Sequence, residues 1–167
     1  YCPDIIVNAA AYTAVDKAES EPDKAHSINA ESVALLAEEA RKMDAWLIHY
    51  STDYVFDGAK KTPYVETDKA NPQSVYGKSK LQGEQSIQDS GCKYLIFRTS
   101  WVYAERGENF AITMMNFAKE QHELRVVSDQ IGTPTSAQLI ADITSLCLHQ
   151  IIYKEVPTEN LSGIYHL

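Results

Sequence analysis

The sequence has 167 residues, 44% hydrophobic and 23% charged, with a formal net charge of −8 at pH 7. That is enough chain for one globular domain with a substantial core. The acidic balance excludes nucleic acid as the main partner, since phosphate binding at that scale needs a clustered basic surface, although a single local cation or a helix start can still hold a diphosphate. No run approaches the roughly 18–20 apolar residues of a membrane span. Cys2, Cys92 and Cys147 are far apart and odd in number. They suit a reducing cytoplasm better than a disulfide framework, and no Cys/His cluster has zinc spacing.

The opening Tyr1-Cys2-Pro3-Asp4 has no Met and no basic stretch, and the chain enters a buried strand almost at once. A piece of a longer protein is expected, not a signal peptide. Residues 4–8 read as that strand, closing in the small residues Ala9 to Ala11. Residues 21–43 read as a helix with Ile28, Val33, Leu35, Leu36 and Ala40 inward. Residues 46–51 are a second strand, followed by a loop over 57–72 and a helix from about 73 to 89. Residues 94–98 give a third strand and 110–121 a further helix. Two more strands are expected at 124–127 and 163–167, flanking a helix over 136–150. No repeat, low-complexity run or charge block interrupts this order.

Alternating helices and continuously apolar strands predict an α/β fold, a doubly wound parallel sheet covered on both faces. Such sheets bind ligands just beyond the carboxyl ends of their strands. Residues 8–13, 51–54 and 99–103 all follow strand ends, so three loops are expected to converge on one crevice.

The sharpest candidate is Tyr76-Gly77-Lys78-Ser79-Lys80. In a helix, residues four apart share a face, which would set the Lys80 ammonium beside the Tyr76 phenol. A free tyrosine titrates near about 10, and a nearby cation lowers that value. A phenol so tuned can protonate an alkoxide formed from a ketone, or take the proton back. The same spacing also arises in an exposed helix with a solvated lysine. Ser51-Thr52-Asp53-Tyr54 closes the preceding strand, where a hydroxyl could bond the same substrate oxygen or merely cap the loop. Asn29 is either a polar contact to nearby backbone or a support for the site. His26, His49, His122, His149 and His166 lack ligand spacing and read as structural or exposed.

Asn8-Ala9-Ala10-Ala11-Tyr12-Thr13-Ala14-Val15-Asp16, Ser51-Thr52-Asp53-Tyr54-Val55-Phe56, Tyr76-Gly77-Lys78-Ser79-Lys80-Leu81-Gln82-Gly83-Glu84, Phe97-Arg98-Thr99-Ser100-Trp101-Val102-Tyr103 and Asp129-Gln130-Ile131-Gly132-Thr133-Pro134-Thr135 occur in that order. Together they resemble the dTDP-4-dehydrorhamnose reductases, a family of extended short-chain dehydrogenases/reductases, over nearly the whole chain.

The resemblance implies an NAD(P)-binding, Rossmann-like fold, here incomplete, with the start of a substrate-binding region within about 130–167. It implies hydride transfer from NADPH or NADH to the 4-keto carbon of dTDP-4-dehydro-L-rhamnose, supplying rhamnose for cell-surface polysaccharide. Tyr76 matches the family's proton donor, Lys80 its cofactor-ribose contact, and Thr52 its third catalytic position. Ala11, Tyr12 and Thr13 match a cofactor-lining loop, with Tyr76 and Lys80 also touching the cofactor. Thr52, Asp53 and Trp101 match substrate contacts, although Trp101 could equally be a core aromatic. Related 4,6-dehydratases carry Glu where Tyr54 stands, and tyrosine is a much weaker base near neutral pH, so simple reduction is expected over dehydration. Some members hold magnesium through an acidic residue that Gln138 replaces here, a poorer ligand for a hard cation; no metal is expected. Two other readings keep the fold: a reductase or epimerase of another nucleotide-sugar, and a non-catalytic regulatory subunit like that of methionine adenosyltransferase.

The family's Gly-rich phosphate grip has no counterpart in this sequence. Its absence would leave an apolar edge at the first strand, inviting self-association or disorder; a homodimer is one expected form. The isolated 167-residue chain is therefore expected to show little reductase activity. Robust NADPH turnover by the purified chain would contradict that.

Overall fold

The computed structural model describes residues 2–107, 109–153 and 161–167. In chain order, the elements begin with β1 (Ile5–Asn8), α1 (Val15–Ala18), α2 (Pro22–His26), a π-helical turn (Ser27–Glu31), α3 (Ser32–Lys42) and β2 (Trp46–Thr52). After a 3-10 turn (Asp53–Val55) come α4 (Val75–Ser90), β3 (Lys93–Thr99), β4 (Val102–Tyr103), α5 (Phe110–Glu120), β5 (Thr135–Ser136), α6 (Ala137–Tyr153) and β6 (Gly163–His166). They fall into two compact units, residues 1–98 with 157–166 and residues 99–156 with 167.

In the first unit the strands form one sheet, ordered β1-β2-β3-β6. The β1/β2 and β3/β6 pairs are parallel, giving a Rossmann-like α/β fold. Register decides what each strand offers to the helices. Ile6 lies opposite Leu47 and Ile96 opposite Ile164. These four share a core with Val33, Ala37, Ala40 and Ile87 from α3 and α4. Side chains two apart share a sheet face, so the same face carries Asn8 opposite His49 and Arg98 opposite His166 nearer the carboxyl ends. It is apolar in its first half and polar in its second. Trp46, Ile48, Leu95 and Phe97, on the alternate face, are buried as well, as continuous apolar strands require.

The helix expected over 21–43 forms, but with a π turn at Ser27–Glu31. Extra residues in one turn advance the helical phase. Val33, Ala37 and Ala40 face the core, whereas Leu35, expected inward, is exposed, being two residues and so about 200° round the helix from Val33. Helix α4 starts where Ser74 accepts the Gly77 N–H at 3.0 Å. It stops at Gly91, whose φ of 73° is the left-handed conformation glycine adopts without a Cβ clash. Residues 124–127 form no strand, contrary to expectation. Arg125, Val126 and Val127 are exposed, and an apolar run without a burying partner has no reason to extend. The second unit instead builds a two-residue parallel bridge, Val102 opposite Thr135.

Among the described residues no helix is long and apolar enough to cross a membrane, and Cys2, Cys92 and Cys147 are free thiols.

Close approach between α4 and the π turn requires Gly83, where an added Cβ would lie 2.3 Å from the Asn29 carbonyl oxygen. Alanine favours a helix interior by about 1 kcal/mol over glycine. Here the contact is to backbone, and overpacking of that kind costs about 1–3 kcal/mol. Gly83→Ala is therefore expected to lower the urea midpoint; an unchanged or higher midpoint would refute the close contact.

Candidate active site

The site forms where α4 crosses the carboxyl end of β2. Gly77 permits that crossing, because a Cβ at this position would lie 2.2 Å from the Tyr54 carbonyl oxygen and 3.0 Å from the Pro72 Cβ. With the helix this close, the Tyr76 hydroxyl hydrogen-bonds with the Thr52 side chain. The Thr52 hydroxyl gives its hydrogen to Asp53 Oδ1 at 3.1 Å and accepts from the Tyr54 N–H at 3.2 Å. The Tyr54 ring meets Tyr76 edge-on, 5.6 Å between centroids.

Burial raises the Tyr76 phenol above its ordinary value; the Thr52 hydroxyl pulls it down, and Asp53 and Tyr54 add to the rise. This corrects the expectation of a phenol tuned downward by Lys80. The two residues are one helical turn apart, but the lysine stem runs into the sheet instead of along the helix. Lys80 Nζ donates to the Tyr50 carbonyl at 2.6 Å and lies 3.2 Å from His49 Nε2. Its side chain is only 1% exposed, and a nitrogen so enclosed must take the acceptors the strand provides. Burial pushes the Lys80 amine down to about 8, with the Glu84 carboxylate pulling the other way. Burial likewise holds the His49 imidazole well below its usual value, and Lys80 adds to that effect.

Around Lys80 the polar half of the sheet face is crossed by hydrogen bonds. Asn8 Nδ2 donates to His49 Nδ1 at 3.1 Å, and the Ala10 N–H donates to Asn8 Oδ1 at 3.1 Å. Arg98 grips Glu84 with two bonds, Nε to Oε1 at 3.0 Å and Nη2 to Oε2 at 2.6 Å. Its guanidinium also sits 5.1 Å from the Phe56 ring centroid.

The loop after β1 is held against α4 by Asn29. The Tyr12 N–H donates to Asn29 Oδ1 at 2.8 Å, while Asn29 Nδ2 donates to the Tyr12 carbonyl and to Ser79 Oγ, each at 3.0 Å. Asn29 thus makes the polar contact to backbone that was one of its two expected roles. Tyr12 packs in one cluster with Tyr76; Ala11 is half-buried, and Ala9, Ala10 and Thr13 are exposed. The structure therefore brings together Thr52, Asp53 and Tyr76, with Tyr12 packed beside Tyr76; Lys80 turns instead to Tyr50 and His49.

Trp101 belongs to the second unit. Its backbone has a φ of 45°, unusual for a bulky residue, and its ring tilts against Phe110 at 6.3 Å. Gln138 donates to Asp142 at 2.8 Å. Among the described residues, no group of three or more His, Cys, Asp or Glu is placed to hold a metal ion.

Sequence reasoning assigned no role to Asn8, Glu84 and Arg98 and read His49 as structural or exposed. A signal was present: polar residues at inward positions of successive strands, matched by Lys80 and Glu84 four apart on one helix.

The parallel sheet, with a tyrosine–lysine helix laid across its carboxyl end, defines a Rossmann-like protein. A family model described as the RmlD substrate binding domain matches residues 1–167. The dTDP-4-dehydrorhamnose reductase of Escherichia coli K12 is 54% identical over 165 residues, covering 99% of this chain and 54% of that protein. A crystal structure of a dTDP-4-dehydrorhamnose reductase from Clostridium acetobutylicum superposes with a TM-score of 0.86 at 44% identity, over 99% of this chain and 55% of that one. One from Bacillus anthracis, solved in complex with NADP, gives 0.85 at 41% identity, over 99% and 56%. The chain belongs to this reductase family. It spans about half the length of the curated relatives it matches, 54% for the Escherichia coli enzyme.

Removing the Thr52 hydroxyl removes the one influence that lowers the Tyr76 phenol. Thr52→Val is therefore expected to raise the Tyr76 titration midpoint, read from the Cζ carbon resonance of labelled tyrosine. A midpoint that stays put or falls would contradict the pairing.

Proposed function

We propose that this chain is the catalytic part of a dTDP-4-dehydrorhamnose reductase, using NADPH or NADH to convert dTDP-4-dehydro-L-rhamnose into dTDP-L-rhamnose in the cytoplasm. The observation that carries this reading is the hydrogen bond between the Tyr76 phenol and the Thr52 side chain at the carboxyl end of β2, within a chain of this family. The NADP bound to the Bacillus anthracis relative supports the cofactor class.

The residues present fit one end of a dinucleotide. Exposed Ala9 and Ala10 at the carboxyl end of β1 leave room for backbone to approach a ligand, as a strand-end site requires. Ala11, Tyr12 and Thr13 would line the cofactor, and Tyr76 and Lys80 would contact it. A bound reduced nicotinamide supplies the hydride to the sugar's keto carbon.

Negative charge then develops on the sugar oxygen, and this chain's residues neutralise it. Tyr76 is a suitable acid because burial keeps its proton in place at neutral pH until a more basic alkoxide arrives. Thr52 holds the phenol, and its hydroxyl can turn its hydrogen toward the phenolate as the proton leaves, acting as a prearranged donor. Asp53 and Trp101 are assigned to the sugar nucleotide. Tyr54, whose phenol is also raised by burial and by Asp53, is a poor base. That favours reduction at one carbon over a dehydration that must remove a proton from carbon.

The test uses the longest reading frame containing this sequence, assayed for dTDP-4-dehydrorhamnose reduction with both cofactors. Tyr76→Phe is expected to reduce kcat by about 100- to 10,000-fold, the usual contribution of a positioned acid, with cofactor affinity changed only a few-fold. A retained rate would remove Tyr76 as the proton donor.

A further inference from the structure

Two unusual features of the second unit meet at one side chain. Trp101 has a φ of 45°, in the left-handed region where a Cβ crowds the following carbonyl oxygen. The residue is nonetheless 45% exposed, so the strained backbone does not serve to bury an apolar group. Against its ring lies Gly132. A Cβ built there would fall 2.7 Å from Trp101 Cε2, 2.8 Å from Trp101 Nε1 and 3.1 Å from Ser100 Oγ.

Glycine is required where φ is positive or where its own backbone must come close to another group. The first reason does not apply at Gly132, whose φ lies outside the positive region. The second does, and the group is a side chain: the two nearest atoms are both on the nitrogen side of the indole. What the missing methyl makes room for is the Trp101 ring. Strand pairing fixes the approach, since Val102, the next residue, bridges in parallel to Thr135, three residues past Gly132. The buried Thr135 hydroxyl shares its hydrogen between the Thr133 and Leu167 carbonyls, at 3.3 and 3.2 Å.

We propose that Gly132 is a positioning residue: its missing side chain forms the seat for the nitrogen side of the Trp101 indole, and so sets the angle at which that ring meets the sugar nucleotide.

The role of the ring rests on the reductase reading, which assigns Trp101 to that ligand; the seat itself does not. A flat ring held by a strained backbone and left half in solvent is a binding surface kept ready. With its angle set beforehand, the ring loses little freedom when the ligand arrives, which favours binding. A methyl at position 132 removes the seat. The half-exposed indole can swing toward solvent to admit it, so the fold is expected to survive while the angle is lost. Thr52 and Tyr76 belong to the first unit and keep their contact, so the loss falls on substrate binding more than on proton transfer.

The test uses the full-length protein with Gly132→Ala, Trp101→Phe and the two combined. The Trp101 indole N–H resonance, identified as the one lost in Trp101→Phe, is expected to move in Gly132→Ala. In that variant KM for dTDP-4-dehydrorhamnose is expected to rise by about 5- to 20-fold, with kcat and the KM for NADPH changed less than about threefold, as loss of ground-state binding requires. In the Trp101→Phe background the same substitution is expected to change KM by less than about twofold, because residues in contact are coupled. An unmoved indole resonance would overturn the proposal. So would an unchanged KM, or an equal rise in the Trp101→Phe background, which a merely structural effect would give. If Gly132→Ala does not fold, the wild type decides: a nuclear Overhauser contact between the Gly132 Hα protons and the Trp101 indole N–H is expected, and its absence overturns the seat. A wild-type protein that turns over no dTDP-4-dehydrorhamnose would sink the reductase reading instead, and the resonances would still report on the seat.

Discussion

Between α4 and the carboxyl half of the sheet, buried polar groups are packed together and bond mainly to one another. Asn8, His49, Lys80, Glu84 and Arg98 are all buried. A buried polar group without a partner costs about 1–3 kcal/mol, more when charged. Their mutual bonds therefore restrict where α4 can lie. Sliding the helix along the sheet would separate Lys80 from the Tyr50 carbonyl and Glu84 from Arg98 together. Such a layer adds little net stability relative to an apolar one, but it locks the register. Locked there, the first turn of α4 sets Tyr76 against Thr52 and nowhere else.

Two glycines make this seating sterically possible. Gly77 and Gly83 let α4 come within contact of the Tyr54 and Asn29 carbonyls, and Asn29 in turn clamps the loop at Tyr12. The π turn that carries Asn29 is a local departure from regular helix, a feature often found where a side chain has to be aimed. The loop after β1, the end of β2 and the start of α4 are thus one connected body, built from backbone contacts that side-chain patterns do not announce.

That distinction explains how much could be read from the sequence. The strands over 4–8, 46–51 and 94–98 were legible because continuous apolar runs have few other fates. Helix α4 was legible to within two residues at each end, expected from about 73 to 89 and observed at Val75–Ser90. The pairing of Thr52 with Tyr76 was legible as a proposal from two motifs and a resemblance. The π turn was not, since a phase slip leaves no compositional mark; Leu35 was misplaced because it cannot share the face of Val33 and Ala40 on a regular helix. The 124–127 run looked like a strand because apolar residues need a partner to become one, and pairing is a property of the whole chain. The direction of Lys80 was misjudged for a similar reason. Helical spacing locates a Cβ, while a long side chain follows its hydrogen-bond acceptors. His49, read as structural or exposed, is structural: its buried ring lies between Asn8 and Lys80.

The proposed function rests on one chemical claim, that the Tyr76 hydroxyl delivers the proton to a reduced sugar. The most direct measurement is a crystal structure of the full-length protein with oxidised cofactor and dTDP-L-rhamnose. The expected result places Tyr76 Oη about 2.6–3.2 Å from the sugar O4, with Thr52 Oγ1 beside it. A sugar O4 lying out of hydrogen-bond reach of Tyr76, or bonded to a different acid, would contradict the claim.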